Sequence, residues 1–178
     1  LLLIVGFGSI GQELAQRARA FGMRVWAVTR SGHGDSALAE KIAPVSQLAE
    51  LLPDADYVVI AAPETAGTNK LIGTLELLRM KPGARLINVS RGSLLDEEAL
   101  VDALEQGTLG GAALDVTATE PLPADSPLWK APNLFITPHT SAVSDRLWTR
   151  QTELLLLLLE KWFAGEELFN LVDFAKGY

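Results

Sequence analysis

Cysteine is absent from this 178-residue chain, which excludes disulfide bridges and thiolate metal sites. Histidine is nearly absent. With two of them, His33 and His139, a histidine-rich metal cluster is excluded as well, and no metal is expected. Basic residues are in the minority: 15 Lys and Arg stand against 22 Asp and Glu, for a net charge of −7. They form no block, which argues against a nucleic-acid partner. Long apolar runs are missing too. The leucines at 154–159 fall far short of the roughly 18 residues of a membrane span, and residues 1–5 are too short, and lack the basic flank, for a signal peptide. No membrane partner is expected, and the default compartment is the cytoplasm. The chain has no Met at its start and opens inside an apolar run, so it reads as part of a longer protein. What is present is 48% hydrophobic and 21% charged, the balance of a packed globular core.

The most informative stretch is the first eleven residues. An apolar run enters Gly6-Phe7-Gly8-Ser9-Ile10-Gly11, a G-x-G-x-x-G turn, and an amphipathic segment follows at once. Ile10, Leu14, Ala18 and Phe21 recur at helical spacing, and Gly22 stands where a helix would stop. Strand, glycine turn and helix thus come in the order of a dinucleotide site. Gly6 permits the tight turn, Gly8 lets a pyrophosphate approach the backbone, and Gly11 lets helix and strand pack closely. The N–H groups of Ser9 and Ile10 would meet the phosphates at the positive end of the helix dipole.

Further along, strands are expected at 24–29, 56–62, 83–89, 109–116 and 134–137. Helices are expected at 46–52, at 68–78, after an Asp96 cap with Leu100, Val101 and Leu104 inward, and at 144–163 with Ser144 as cap. Residues 31–43 read as a polar loop containing His33. Residues 117–132 read as a stiff loop with four of the nine prolines. Alternating strands and helices imply an α/β fold, a doubly wound parallel sheet with helices on both faces. Ligands of such sheets lie outside the carboxyl ends of the strands. The leucines at 154–159 cover every face of a helix, so they pack on more than one side, either in the core of this chain or across a dimer interface.

Those strand ends carry the candidate chemistry. After the second strand come Thr29, Arg30 and Ser31. No acid is there to bind a ribose 2′-hydroxyl, whereas Arg30, about twenty residues past the last motif glycine, can pair with a 2′-phosphate. NADP is therefore expected, with NAD as the alternative, and a solvated arginine is the ordinary reading. Ala62-Pro63, Val89-Ser90-Arg91, Asp115 and His139 end other strands. A histidine can give or take a proton near neutral pH. A carboxylate such as Glu120 can orient its ring, and Arg91 can hold a substrate carboxylate or carbonyl oxygen. Each has a plainer reading: His139 as a loop residue, Glu120 as a solvated turn, Arg91 as a helix cap.

Taken together, the motifs resemble the D-isomer-specific 2-hydroxyacid dehydrogenases. The resemblance rests on the glycine turn, Ile87-Asn88-Val89-Ser90-Arg91-Gly92 with Leu95-Asp96 and Ala99-Leu100, then Gly111-Ala112-Ala113-Leu114-Asp115-Val116. It continues through Glu120-Pro121-Leu122-Pro123, Ser126-Pro127-Leu128-Trp129, Pro132-Asn133 and Thr137-Pro138-His139. It implies a Rossmann-type domain that binds NAD(P), with reversible reduction of a small 2-keto acid to a D-2-hydroxy acid. Arg91 matches the substrate-binding arginine, Glu120 the carboxylate paired with the histidine, and His139 the general acid/base. Asp115 matches the residue near the nicotinamide amide. The implied cofactor contacts are Gly6, Phe7, Gly8, Ser9, Ile10, Gly11, Thr29, Arg30, Ser31, Ala62, Pro63, Val89, Ser90, Arg91, Asp115, His139 and Ser141.

An arginine at position 30 is similar to the NADPH-preferring glyoxylate and hydroxypyruvate reductases, and Glu120 fits the hydroxyacid enzymes better than the formate dehydrogenases. The sequence departs from many members in having Thr117 rather than an aromatic residue after Asp115-Val116. The resemblance assigns 1–165 to the dinucleotide-binding domain and 166–178 to a return segment of a substrate domain that is otherwise missing. The chain alone would then keep a nucleotide site with little or no turnover. Members pair as homodimers through this domain. A rival of another class, the C-terminal-binding-protein corepressors, shares these residues as nucleotide-sensing interaction proteins.

Overall fold

The computed structural model describes residues 1–35 and 37–174; the end of the expected return segment, 175–178, lies outside them. The chain divides into two compact units, the first Leu1–Pro138 and the second beginning at His139.

In the first unit, seven short segments form one sheet: β1 (Leu2–Val5), β2 (Val25–Thr29), β3 (Lys41–Pro44), β4 (Tyr57–Ile60), β5 (Arg85–Asn88), β6 (Gly111–Leu114) and β7 (Leu134–Ile136). The order is β3-β2-β1-β4-β5-β6-β7, and each of these pairings is parallel. Helices α1 (Ser9–Ala20), α2 (Leu48–Leu51), α3 (Thr74–Arg79) and α4 (Glu97–Glu105) lie between strands.

β1 is buried at all four positions because it is apolar on both faces, as a central parallel strand must be. The two faces then fill two cores. Leu3 and Val5 join Val58, Ile60, Leu86 and Leu114 against Leu48, Leu51, Leu77 and Leu100 of α2–α4. Leu2 and Ile4 join Val25, Ala27 and Val59 against Ala15 and Ala18 of α1. Each large side chain fully buried this way contributes about 1.5–3 kcal/mol.

Several boundaries differ from expectation. α1 buries Gly11, Ala15 and Ala18, while Ile10 is 59% and Phe21 87% exposed. Small residues win that face because the helix lies close to the strand. β3 falls in the stretch expected as loop. It is an edge strand with only Ala43 buried, and the charge of Lys41 and the missing N–H of Pro44 suit an edge but hide the strand pattern. The helix expected over 68–78 is confined to Thr74–Arg79, where the Gly73 N–H is held by Glu76 Oε2 at 3.1 Å. Before it, Lys70 takes φ 48° and Ile72 bridges Leu95. Asp96 caps α4 as expected, accepting from the Ala99 N–H at 3.3 Å.

In the second unit, α5 spans Leu147–Ala164 and closes on Gly165 at φ 69°. Ser144 does not cap it through its side chain. Arg146 is the cap, and the Ser144 carbonyl instead accepts from the Leu147 N–H at 3.1 Å. None of the α5 residues is buried, so the expectation of core burial for the leucine run is overturned.

Candidate functional site

Strands are added outward from β1 to β3 in one direction and from β4 to β7 in the other, so the switch point of the strand order, and with it the crevice of an open parallel sheet, falls between β1 and β4. The glycine turn fills that point. Gly6 has φ +98°, and a Cβ on it would stand 2.4 Å from the Ala62 backbone nitrogen. Beyond it, Gly8 is extended and nothing lies within 4 Å of where its Cβ would be. Ser9 and Ile10 are exposed at the first turn of α1, which contains no acidic residue. The helix terminus therefore has open access, uncompensated N–H groups and no competing carboxylate, the requirements for a pyrophosphate. Phe7 is buried beneath the turn, and its carbonyl accepts from Gln12 Nε2 at 3.2 Å.

Ladder bonds carry the other strand ends to the same edge. Ala61 N–H donates to Val5 O (2.8 Å), Val89 N–H to Ile60 O (3.2 Å), Asp115 N–H to Asn88 O (3.0 Å) and Thr137 N–H to Leu114 O (2.9 Å). At the end of β2, Arg30 and Ser31 are exposed. The Thr29 hydroxyl shapes their turn: it accepts from the Gly32 N–H at 2.9 Å and donates to the His33 carbonyl at 3.1 Å. At the end of β4, Ala62 is buried and Pro63 exposed, and the Pro63 carbonyl accepts from Thr68 Oγ1 at 2.9 Å.

The turn after β5 is held by a residue the sequence did not single out for chemistry. Asn88 is fully buried, and its amide donates to the Arg91 carbonyl at 2.9 Å. Its oxygen accepts from both the Ser90 N–H and the Ser90 hydroxyl at 3.0 Å. The Ser90 hydroxyl thus serves the turn. Arg91 is exposed above it, with Nη1 donating to the Ser90 carbonyl at 2.7 Å. Asp115 is 6% exposed and accepts from Thr137 Oγ1 at 2.5 Å, which ties β6 to the residues after β7. Glu120 is exposed in the following loop, and its Oε1 accepts from the Thr117 N–H at 3.0 Å.

The first unit therefore gathers the glycine turn, Thr29–Ser31, Ala62-Pro63, Val89–Arg91 and Asp115 on one sheet edge, with Glu120 five residues beyond Asp115. His139 and Ser141 belong to the second unit, in which His139 takes φ 54°. Asn88 and Thr137 are the partners that sequence reasoning missed. A buried polar residue at a strand end, beside a candidate arginine or aspartate, was the available signal.

Comparison with known proteins agrees with this geometry. Residues 1–141 match the family model described as D-isomer specific 2-hydroxyacid dehydrogenase, NAD binding domain. A glyoxylate reductase of Korarchaeum cryptofilum is 38% identical over 172 residues, covering 96% of this chain and 51% of its own length. A D-isomer specific 2-hydroxyacid dehydrogenase family protein of Aeromonas salmonicida superposes with a TM-score of 0.89 at 40% identity, over 97% of this chain and 55% of its own. A D-isomer specific 2-hydroxyacid dehydrogenase of Xanthobacter autotrophicus, crystallised with NADPH and MES, gives 0.88 at 30% identity, over 99% of this chain and 72% of its own. The chain spans about half the length of the curated relatives it matches. The family model matches residues 1–141, well over half of the chain, so this chain belongs to the D-isomer specific 2-hydroxyacid dehydrogenase family, as its NAD binding domain.

Proposed function

We propose that the protein containing this chain interconverts a small 2-keto acid and a D-2-hydroxy acid, with NADPH preferred over NADH. The observation that carries the reading is the sheet edge: a helix N-terminus open to an anion at the switch point, with Arg91 held by buried Asn88 two strands away. A reduced nicotinamide, when bound, would supply a hydride, one proton with two electrons, to the substrate carbon. The Ser9 and Ile10 N–H groups bind the pyrophosphate. Arg91 holds the substrate carboxylate through paired, charge-assisted hydrogen bonds. His139 protonates the carbonyl oxygen in reduction and takes that proton back in oxidation. The motif positions support these roles, and the relatives named as glyoxylate and glyoxylate/hydroxypyruvate reductases support the substrate class.

Arg30 and Ser31 support the cofactor preference, since both are exposed at the end of β2 where an acid would select NADH. We expect kcat/KM for glyoxylate or hydroxypyruvate to be at least about tenfold higher with NADPH, equivalent to about 1.4 kcal/mol. Arg30→Gln should erase most of that ratio. A wild-type preference for NADH would overturn the cofactor assignment.

The second unit supports a homodimer. α5 leaves Leu155 57%, Leu156 54% and Trp162 65% exposed, a large apolar surface for one helix. Sedimentation at micromolar concentration should give twice the protomer mass, and Leu155→Glu with Leu156→Glu should return it to the protomer mass. A wild-type monomer would remove the proposal.

A further inference from the structure

We propose that Glu97 is a positioning residue that sets the loop of Glu120 against the turn of Arg91; this rests on the keto-acid reading above. Glu97 opens α4, and its Oε1 accepts the Ala118 N–H at 2.6 Å, across 21 residues of sequence. One residue earlier in the same loop, the Thr117 N–H donates to Glu120 Oε1 at 3.0 Å, and the Thr117 hydroxyl donates to the Thr119 carbonyl at 2.9 Å. Consecutive N–H groups are therefore shared between two carboxylates, Glu120 on one and Glu97 on the next.

The loop also lies directly on the residue after Arg91. A Cβ on Gly92 would stand 2.0 Å from the Thr117 carbonyl carbon and 2.2 Å from the Ala118 nitrogen. Gly92 thus permits contact between the two backbones, and Glu97 fastens it from the side. The carboxylate that holds the loop comes from α4, whose first residues follow the Arg91 turn by a few positions, so both ends of the proposed substrate site share one anchor. Burial pushes the Glu97 carboxyl above the usual glutamate range; the Ala118 N–H pulls it back and Asp96 pushes it further up. A half-buried carboxylate is costly to keep without a partner, and here the loop backbone supplies one. Nothing else in the proposed chemistry calls for an acid at this position.

The test compares Glu97→Ala and Glu97→Gln in the gene product that contains this chain. Glutamine keeps an oxygen at the acceptor position and alanine removes it. We expect Glu97→Ala to lower kcat for keto-acid reduction by about ten- to a hundredfold, as misplacement of a reacting group does. The Kd for NADPH should stay within about twofold, and Glu97→Gln should recover most of kcat. Wild-type kcat in Glu97→Ala, or a glutamine variant as slow as alanine, would overturn the proposal. The Ala118 amide proton, followed by NMR in this 178-residue chain, gives a readout without turnover. It should move upfield in Glu97→Ala together with that of Thr117. Unmoved resonances would sink the anchor even if the protein proves to be a reductase. Absence of any keto-acid reduction by the wild type would sink the functional reading and leave the anchor to be judged by those resonances.

Discussion

On the proposed reading, alanine at position 139 should lower kcat for keto-acid reduction by about 10²–10⁴-fold and leave the Kd for NADPH within about twofold. Imidazole is the side chain whose ordinary titration range spans neutrality, so it can carry the proton in both directions of a reversible reaction. The chain has one other histidine, His33, exposed in a loop between two glycines. His33→Ala is the internal control, and its kcat should match wild type. The left-handed backbone at His139, φ 54°, is a conformation non-glycine residues seldom take. Glycine would relax that backbone as well as remove the imidazole, so alanine, which removes the ring and keeps a Cβ, is the cleaner test. A His139→Ala enzyme with wild-type kcat would remove the proton-transfer role. If nucleotide binding persisted without any turnover in the wild type, a nucleotide-sensing protein would be the better reading.

The sheet was legible because parallel strands are buried on both faces and read as short continuous apolar runs. Leu2–Val5 and Tyr57–Ile60 stand out in any window, and the glycine turn fixes which end of them faces ligand. β3 was not legible for the opposite reason. An edge strand is half solvated, and Lys41-Ile42-Ala43-Pro44 mixes a charge, two small or branched apolar residues and a proline. The face of α1 was misread because large residues at helical spacing look like a core stripe. Close packing on β1 instead selects Gly11, Ala15 and Ala18, and a Cβ on Gly11 would stand 2.3 Å from the Gly6 carbonyl oxygen. Periodicity reports size and polarity; it does not report how near the helix comes.

Among the candidate residues, those with exposed side chains at or after strand ends, Arg30, Arg91 and Glu120, stand out by residue type and position alone. Residues addressed inward do not. Asn88 looks like the polar close of a strand, yet it is the fully buried hub of the Ser90–Arg91 turn. Thr137 looks like the end of β7, yet its hydroxyl meets Asp115 across 22 residues. A hydrogen bond between distant residues has no local signature, because either partner would look the same if solvated. The same holds for Glu97, which reads as an ordinary acidic first turn of a helix until Ala118 is seen beside it.

Gly6→Ala and Gly8→Ala should separate the two demands that one turn satisfies. A side chain at position 6 meets both a left-handed φ of +98° and the Ala62 and Ala61 backbone at 2.4–2.6 Å. Backbone cannot swing aside as a flexible side chain can. The conformational cost is about 1–2 kcal/mol, and overpacking adds about 1–3 kcal/mol. For a chain of this size each kcal/mol moves Tm by roughly 2–4 °C, so Tm should fall by roughly 10 °C. Position 8 is the reverse case: nothing lies within 4 Å of an added Cβ. Gly8→Ala should leave Tm within about 2 °C, because it removes no packing and adds no clash. The new methyl would occupy the space through which a pyrophosphate reaches the Ser9 and Ile10 N–H groups. Losing one charge-assisted hydrogen bond costs about 1.5–3 kcal/mol, so the Kd for NADPH should rise by at least about tenfold. Thermal melts and nucleotide titrations on the same two variants read both effects. An unchanged Tm in Gly6→Ala would contradict the packing at the switch point, and an unchanged Kd in Gly8→Ala would mean that the phosphates bind elsewhere.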